Sequence, residues 1–379
     1  MEIYKVGGCI RDKLLGIPSN DTDFVVVGST PEAMIKLGFK PVGSDFPVFL
    51  HPKTKEEYAL ARSEKKIAIG YRGFTFNAAP DISLKDDLAR RDITINAIAE
   101  DENGNLIDPF GGQNDLKNRV IRHISDAFTE DPLRVLRVAR FSAKLNFKVA
   151  DETLLLMKKI VSSGELKSLS AERIWLEINK TMMTYHSSKF FKILHSCNAL
   201  EQILPEFVPL VKDIDNLNLF ATMSQIMSND NSPIHKRFGV LFYFVSSYFP
   251  IDTLSEFINK SRIDKQSRAM ALLIIRYYHR IKTLDKLNVD FIYSIIANID
   301  PTRRVERYLD FIELSFFIAI SKNETQTIHH LELIKQIVND YQNIKYAEIR
   351  QSNPSDFINI IHQEKLKAIK EALFTTHAV

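Results

Sequence analysis

The chain has 379 residues, 45% hydrophobic and 26% charged, which suits a soluble protein of about two to four domains with a real core. A formal charge of +3 is too small to advertise a polyanion partner, so any nucleic-acid binding must rest on a local patch. Two cysteines, Cys9 and Cys197, exclude a disulfide framework and point to a reducing, cytoplasmic setting. No charged-then-apolar leader follows Met1. The most apolar windows, 238–249 and 311–320, are too short to span a bilayer, so no membrane role is expected. Twelve of the 13 glycines lie at or before Gly164, and Gly239 stands alone beyond it. Turn-rich α/β structure needs glycine where linked helices do not, so an N-terminal α/β unit followed by a helical remainder is predicted.

Residues 2–6 alternate like a short strand and run into Gly7-Gly8; 10–15 then read as a short helix, stopped by Gly16 and Pro18. The β-branched run 23–27 predicts a strand, and Thr30-Pro31 a capped helix start. Further strands are predicted at 46–50, 58–62 and 93–99. The stretch 63–80, with Gly70, Gly73 and Pro80, reads as a long mobile loop. Beyond about residue 125 the period becomes helical, with helices at 132–145, 151–161 and 171–183, the last capped by Ser170. From about Glu206 onward only helices are expected, broken at 229–232 and 353–355.

Four clusters carry chemistry. Gly7-Gly8-x-x-Arg11-Asp12 places a glycine pair between strand and helix, where backbone can approach a phosphate and Arg11 reach the same anion. The same pair also makes an ordinary tight turn, and Asp12 reads as a helix-start or Arg-orienting carboxylate. Asp21 and Asp23 head the strand 23–27 on one face, two hard oxygen ligands that suit Mg²⁺; the bland alternative is a capped strand start. Arg90-Arg91-Asp92 serves either a triphosphate or ribose, or a surface ion pair. In Glu130-Asp131-Pro132-Leu133-Arg134 and the following helix, Asp131, Arg134, Arg137 and Arg140 share one face. Such a face is often only solvated. An acceptor carboxylate beside an arginine donor nevertheless matches the pairing edge of cytosine and adenine and rejects the reversed order of uracil and guanine.

Together these residues resemble the bacterial class II CCA-adding enzymes, a family of tRNA nucleotidyltransferases. Val6-Gly-Gly-Cys-Ile-Arg-Asp-Lys-Leu-Leu-Gly16 through Asp21-Thr-Asp-Phe-Val-Val-Val27 is similar to that family's first motif. Arg90-Arg-Asp92, Asp108-Pro-Phe-Gly-Gly112 (hinge-like) and Glu130-Asp-Pro-Leu-Arg134 are similar to later ones. The likeness is dense to about residue 207 and fades beyond. It implies an α+β fold: a polymerase-beta-like nucleotidyltransferase palm, or head, over 1–124, a helical neck carrying the base-selecting template over 125–207, and a helical body and tail binding tRNA over 208–379. It implies template-independent addition of CCA to tRNA from CTP and ATP. Gly8, Arg11, Arg91, Arg137 and Arg140 fall on nucleotide-contacting positions, Asp21 and Asp23 on catalytic Mg²⁺ ligands, and Asp131 and Arg134 on the base-reading pair. Glu57 is a candidate third carboxylate. The expected partners are the tRNA acceptor arm, CTP and ATP, and the pattern carries no signal for an oligomeric state. A CC-only, A-only or poly(A) enzyme, or a silent RNA-binding homologue, is the alternative.

One departure concerns the C-terminal HD phosphohydrolase motif of some similar enzymes. The segment from Arg237 to Val245 resembles its flank but has Tyr243-Phe244 where His-Asp would sit, and no His-Asp dipeptide occurs in the chain. Hydrolase activity is therefore not expected. His329-His330, Trp175 and the two cysteines read as structural residues.

Overall fold

Alternation in the first residues produces β1 (Glu2–Val6), which leads into α1 (Gly8–Leu14) and then the β-branched β2 (Asp23–Val27). The order continues α2 (Pro31–Lys36), β3 (Lys40–Val42), β4 (Val48–Leu50), β5 (Glu57–Leu60), β6 (Ser63–Lys66), β7 (Phe74–Asn77), α3 (Leu84–Ala89), β8 (Ala99–Glu100) and β9 (Leu106–Ile107). This computed structural model describes residues 1–18, 22–42, 48–66, 74–77, 79–282, 288–341 and 343–376. The chain divides into two units, Met1–Val211 and Lys212–Val379.

Seven strands form one mixed sheet in the order β3-β4-β5-β2-β1-β8-β9. β1 and β2 are antiparallel, with Val6 opposite Asp23, while β2 and β5 are parallel, with Asp23 beside Glu57. Successive residues of β2 face opposite ways. Val25 packs with Val6, Ala61, Leu88 and Ala97, and Val26 packs with Met34, Phe39, Phe49 and Leu60. As expected, Thr30 caps α2, its hydroxyl accepting from the Ala33 amide, with Pro31 in the first turn.

Two strand and loop expectations need correction. Residues 93–99 are not a strand: Thr94–Asn96 is a single 3₁₀ turn and only Ala99–Glu100 joins the sheet. Side chains compete there with a ladder, because Asp92 accepts from the Ile93 amide and from Asn96, and Thr94 donates to Asp115. The flanks of the expected 63–80 loop are β6 and β7, an antiparallel pair with Ser63 opposite Asn77. Residues 67–73, which include Gly70 and Gly73, lie outside the described residues.

The first unit continues with α4 (Gly112–Asn118), β10 (Val120–Ile121), α5 (Leu133–Leu145), β11 (Lys148–Val149), α6 (Asp151–Ser162), α7 (Ala171–Met182) and α8 (Ser187–Ser196). Helix α5 packs on α7 and α8. Ser170 caps α7, as expected, and Trp175 is buried. Cys197 is also buried, which pushes its thiol up to about 11.

The second unit is helical throughout its described residues, from Ile214–Asn229 to Phe357–Thr376. Its core includes Phe238, Phe242, Phe244 and Phe311, all fully buried. Gly239 lies where the helix Ile234–Val245 meets its neighbours: a Cβ there would come within 2.4 Å of Leu314 Cδ2. His330 is buried against the Ile281 carbonyl and His329 is exposed, consistent with structural roles. No helix among the described residues is long and apolar enough to cross a membrane.

Candidate active site

The glycine turn is built for close approach. Gly7 takes φ +80°, where a side chain is strained, and a Cβ on it would lie 2.9 Å from Arg91 Nη1, so that guanidinium would have to shift. One turn into α1, Arg11 is buried. Its Nε donates to Asp12 Oδ1 at 2.8 Å and its Nη1 to Asn96 Oδ1 at 2.6 Å. Asp12 also receives Lys144 at 3.3 Å. Burial raises the Asp12 carboxyl, but Arg11 and Lys144 outweigh it and hold the group below the usual range. The expected Arg-orienting role of Asp12 is what the geometry shows.

Two buried carboxylates organise the motif around residue 90. Asp87 takes Arg90 at 2.7 Å and Arg91 at 3.3 Å, while Asp92 takes Arg137 through Nε at 2.8 Å and Nη2 at 2.7 Å. For Asp87, burial opposes ionisation and the two arginines overcome it. For Asp92, burial likewise raises the carboxyl, and Arg137 and the Asn96 amide bring it below its ordinary value. Asp92 in turn raises Arg137. Arg91 Nη1 donates to the Asn96 carbonyl, and its Nε is buried with no hydrogen-bond partner. Of the readings open for Arg90-Arg91-Asp92, the simple surface ion pair is excluded, since Asp92 is buried and bonded to α5.

Helix α5 presents Arg134, Arg137, Phe141 and Lys144 at helical spacing, with Arg140 beside them. The Phe141 ring lies within 4.1 Å of the Arg140 guanidinium carbon, 5.1 Å of Arg11 and 5.5 Å of Arg137. The aromatic ring adds a shared contact to three cations that each also hold a carboxylate of their own, Asp12, Asp92 and Glu177. Arg140 is buried and its Nε donates to Glu177 at 2.5 Å.

Asp131 departs from the expected helical face. The helix starts only at Leu133, and Asp131 precedes it in extended backbone, accepting from the Leu133 amide at 3.0 Å. The Arg134 amide donates to the Asp131 carbonyl at 3.0 Å, but the two side chains do not bond to each other. Asp131 receives Arg173 Nη2 at 3.0 and 3.2 Å, while Arg134 donates to the carbonyls of Ala127 at 3.1 Å and Arg90 at 2.5 Å.

These groups surround a cleft of about 590 Å³, within the range of about 300–1,000 Å³ common for small-molecule sites. Gly8, Arg11, Asp23, Arg91, Asp131, Arg134, Arg137 and Arg140 all line it. Asp21 lies outside the described residues. Eight basic side chains line the cleft against three acidic ones, a local excess that the net charge of the chain conceals. Asp23 and Glu57 are exposed carboxylates on adjacent strands, hard oxygen donors whose chemistry fits a divalent cation. Among the described residues no cluster of three such ligands stands ready-made.

Sequence reasoning missed Arg173, which donates to Asp131, and Glu177, which accepts from Arg140. Their spacing, i and i+4 on α7, put an opposite-charge pair on one face, a signal present but without a visible partner. It also missed Phe141, an apolar residue between the arginine turns whose role appears only in three dimensions.

A mixed sheet that presents a glycine turn and a carboxylate to an arginine-lined cleft defines a nucleotidyltransferase, the class to which the matching family models belong. Residues 3–122 match the poly A polymerase head domain, and 146–210 match a model described as a probable RNA and SrmB-binding site of polymerase A. The chain is 41% identical to a CCA-adding enzyme of Coxiella burnetii, over 98% of this chain and 95% of that one. It is 45% identical to a multifunctional CCA protein of Pseudomonas putida, over 86% of each. Among solved structures, a tRNA nucleotidyltransferase complexed with a primer tRNA and an incoming ATP analog aligns with TM-score 0.64 and 26% identity, over 88% of this chain and 96% of that one. The chain belongs to the CCA-adding enzyme family.

Proposed function

We propose that this chain builds and repairs the 3′-terminal CCA of tRNA without a nucleic-acid template, using CTP and ATP and releasing pyrophosphate. The observation that carries the assignment of roles is the convergence of eight motif residues, distant in sequence, on one cation-lined cleft. The domain reading that accompanies it is a head over 1–124, a neck over 125–207 and a tRNA-binding body and tail over 208–379, working in the cytoplasm.

Gly8 and Arg11 receive the triphosphate, and Arg91, with an unsatisfied Nε, adds a further donor. The tRNA 3′-hydroxyl attacks the α-phosphorus in line, and the guanidinium groups stabilise charge on departing pyrophosphate. Arg137 and Arg140, fixed by Asp92 and Glu177, orient the nucleotide. Asp131 accepts the exocyclic amine of cytosine or adenine, and Arg134 donates to the ring nitrogen beside it. Both already have protein partners, so the base enters a pre-ordered network rather than recruiting loose side chains. Enzymes of this family generally use divalent metal ions. The proposed ion is Mg²⁺ on Asp21 and Asp23, with Glu57 as the neighbouring carboxylate. When bound, it supplies positive charge shared between triphosphate and attacking hydroxyl.

We also propose that the second unit has no phosphohydrolase activity. Tyr243 is buried, with its ring centre 5.0 Å from that of Tyr278 and 5.4 Å from that of His279, and it offers no carboxylate or imidazole ligand. Release of phosphate from a 2′,3′-cyclic substrate would overturn this.

The direct test incubates the protein with tRNA lacking its last three nucleotides, CTP, ATP and Mg²⁺. Three-nucleotide extension is expected; a product that stops after two, or incorporates only A, replaces the reading with a partial activity. Asp23→Ala should abolish extension with tRNA affinity retained. Asp131→Ala should lose the preference for C and A over U and G.

A further inference from the structure

A second cationic concavity lies wholly within the C-terminal unit, about 480 Å³ in volume. Lys265, Arg303, Arg304 and Arg307 line it. Lys265 begins the helix Lys265–Leu273, and Arg304 immediately precedes the helix Val305–Ser321 without a side-chain cap. The free amides of that second helix therefore add partial positive charge to the same place.

Compensation within the protein is scant. No ion pair or side-chain hydrogen bond joins Lys265, Arg303 or Arg304 to another described residue. Arg307 donates through Nη2 to the carbonyls of Asn298 and Ile299, while its Nε is buried with no hydrogen-bond partner. The acidic lining is already engaged on one side: Asp310 holds His235 at 2.9 Å and Lys236 at 3.0 Å, which leaves Glu306 as the exposed counter-charge.

We infer that this pocket is a phosphate site for the backbone of the tRNA substrate, separate from the nucleotide cleft. The inference rests on the tRNA-extending function proposed above. A phosphodiester is the ligand that several uncompensated cations and a helix N-terminus recognise together. A free nucleotide is disfavoured by the lining, which contains no Phe, Tyr or Trp on which a base would stack. The site reads charge and position rather than sequence, as backbone recognition does.

The experiment measures affinity of the full-length chain for tRNA lacking CCA at several salt concentrations, for wild type and for the double variant Arg303→Gln, Arg304→Gln. Extension of full tRNA by wild type is checked first; its absence sinks the functional reading itself. The double variant should bind tRNA about tenfold more weakly at low salt. Its log-affinity against log-salt slope should shrink by about 0.7–0.9 for each phosphate that is no longer neutralised. CMP addition to a short acceptor-stem hairpin should stay unchanged, which shows the head intact. Wild-type affinity and slope in the variant would overturn the inference. So would inorganic phosphate binding that the variant loses while tRNA binding persists, because the site would then serve a free anion.

Discussion

The two cationic cavities differ in how their charges are held. In the N-terminal cleft Arg11 rests on Asp12, Arg91 on Asp87, Arg137 on Asp92 and Arg140 on Glu177. In the C-terminal pocket Lys265, Arg303 and Arg304 have no such anchors among the described residues. An anchored guanidinium has surrendered its rotamer freedom during folding, so it meets a reacting phosphate in a fixed geometry. An unanchored one surrenders that freedom only when the ligand arrives, and supplies salt-sensitive affinity with little geometry.

Breaking an anchor is the harshest way to test this contrast. Asp92→Asn removes a buried carboxylate from Arg137 and should cost on the order of 3 kcal/mol, the low end for a broken buried pair because Arg137 retains some water. The measurement is thermal unfolding, with nucleotide addition falling in parallel. The same anchors predict an acid limit. Asp87 and Asp92 titrate below their ordinary 3.8 in the folded chain, so their stabilisation is complete above that value. It disappears as pH falls through the depressed folded values. Melting temperature should drop steeply below about pH 4, and Asp92→Asn should flatten that drop.

A smaller effect separates the two units through their glycines. A Cβ at Gly112 would meet the Thr94 carbonyl oxygen at 2.4 Å, a backbone atom that cannot swing aside. At Gly239 the nearest atom is the end of the Leu314 side chain. Gly112→Ala should destabilise by about 1–3 kcal/mol and Gly239→Ala by less, as read from denaturant midpoints.

Phe141→Leu keeps an apolar side chain but removes the ring face shared by three guanidinium groups. It should raise KM for CTP and ATP about fivefold with kcat little changed, whereas unchanged KM would make Phe141 a packing residue only. The mildest change is Glu306→Gln beside the unanchored arginines, expected to strengthen tRNA binding about twofold.

The sequence made local structure legible wherever a residue acts on its near neighbours. Thr30 and Ser170 cap the helices they were expected to cap, and the β-branched run sits centrally in the sheet. The candidate cleft was legible through its motifs, since the spacing of residues 8, 11, 91, 131 and 134 carries the family pattern. What escaped was pairing across long separations. Nothing local says that Asp92 holds Arg137, 45 positions away, or that the Asp131 carboxylate takes the Arg173 guanidinium instead of that of Arg134. The 93–99 segment failed for a related reason: its apolar alternation suggested a strand, while Asp92, Thr94 and Asn96 offered the chain competing hydrogen bonds.

Val6, Asp23 and Glu57 occupy one rung across three neighbouring strands. The hydrogen-bond ladder therefore acts as a ruler, stepping about 4.8 Å per strand from the glycine turn to each carboxylate. Insertions in the loops between β2 and β5 change the length of a connection but not a division on that ruler. A single residue deleted within β2 would instead slip the register and turn Asp23 to the opposite face. Tolerance to insertion in this head is therefore set by position along a strand rather than by distance from the chemistry.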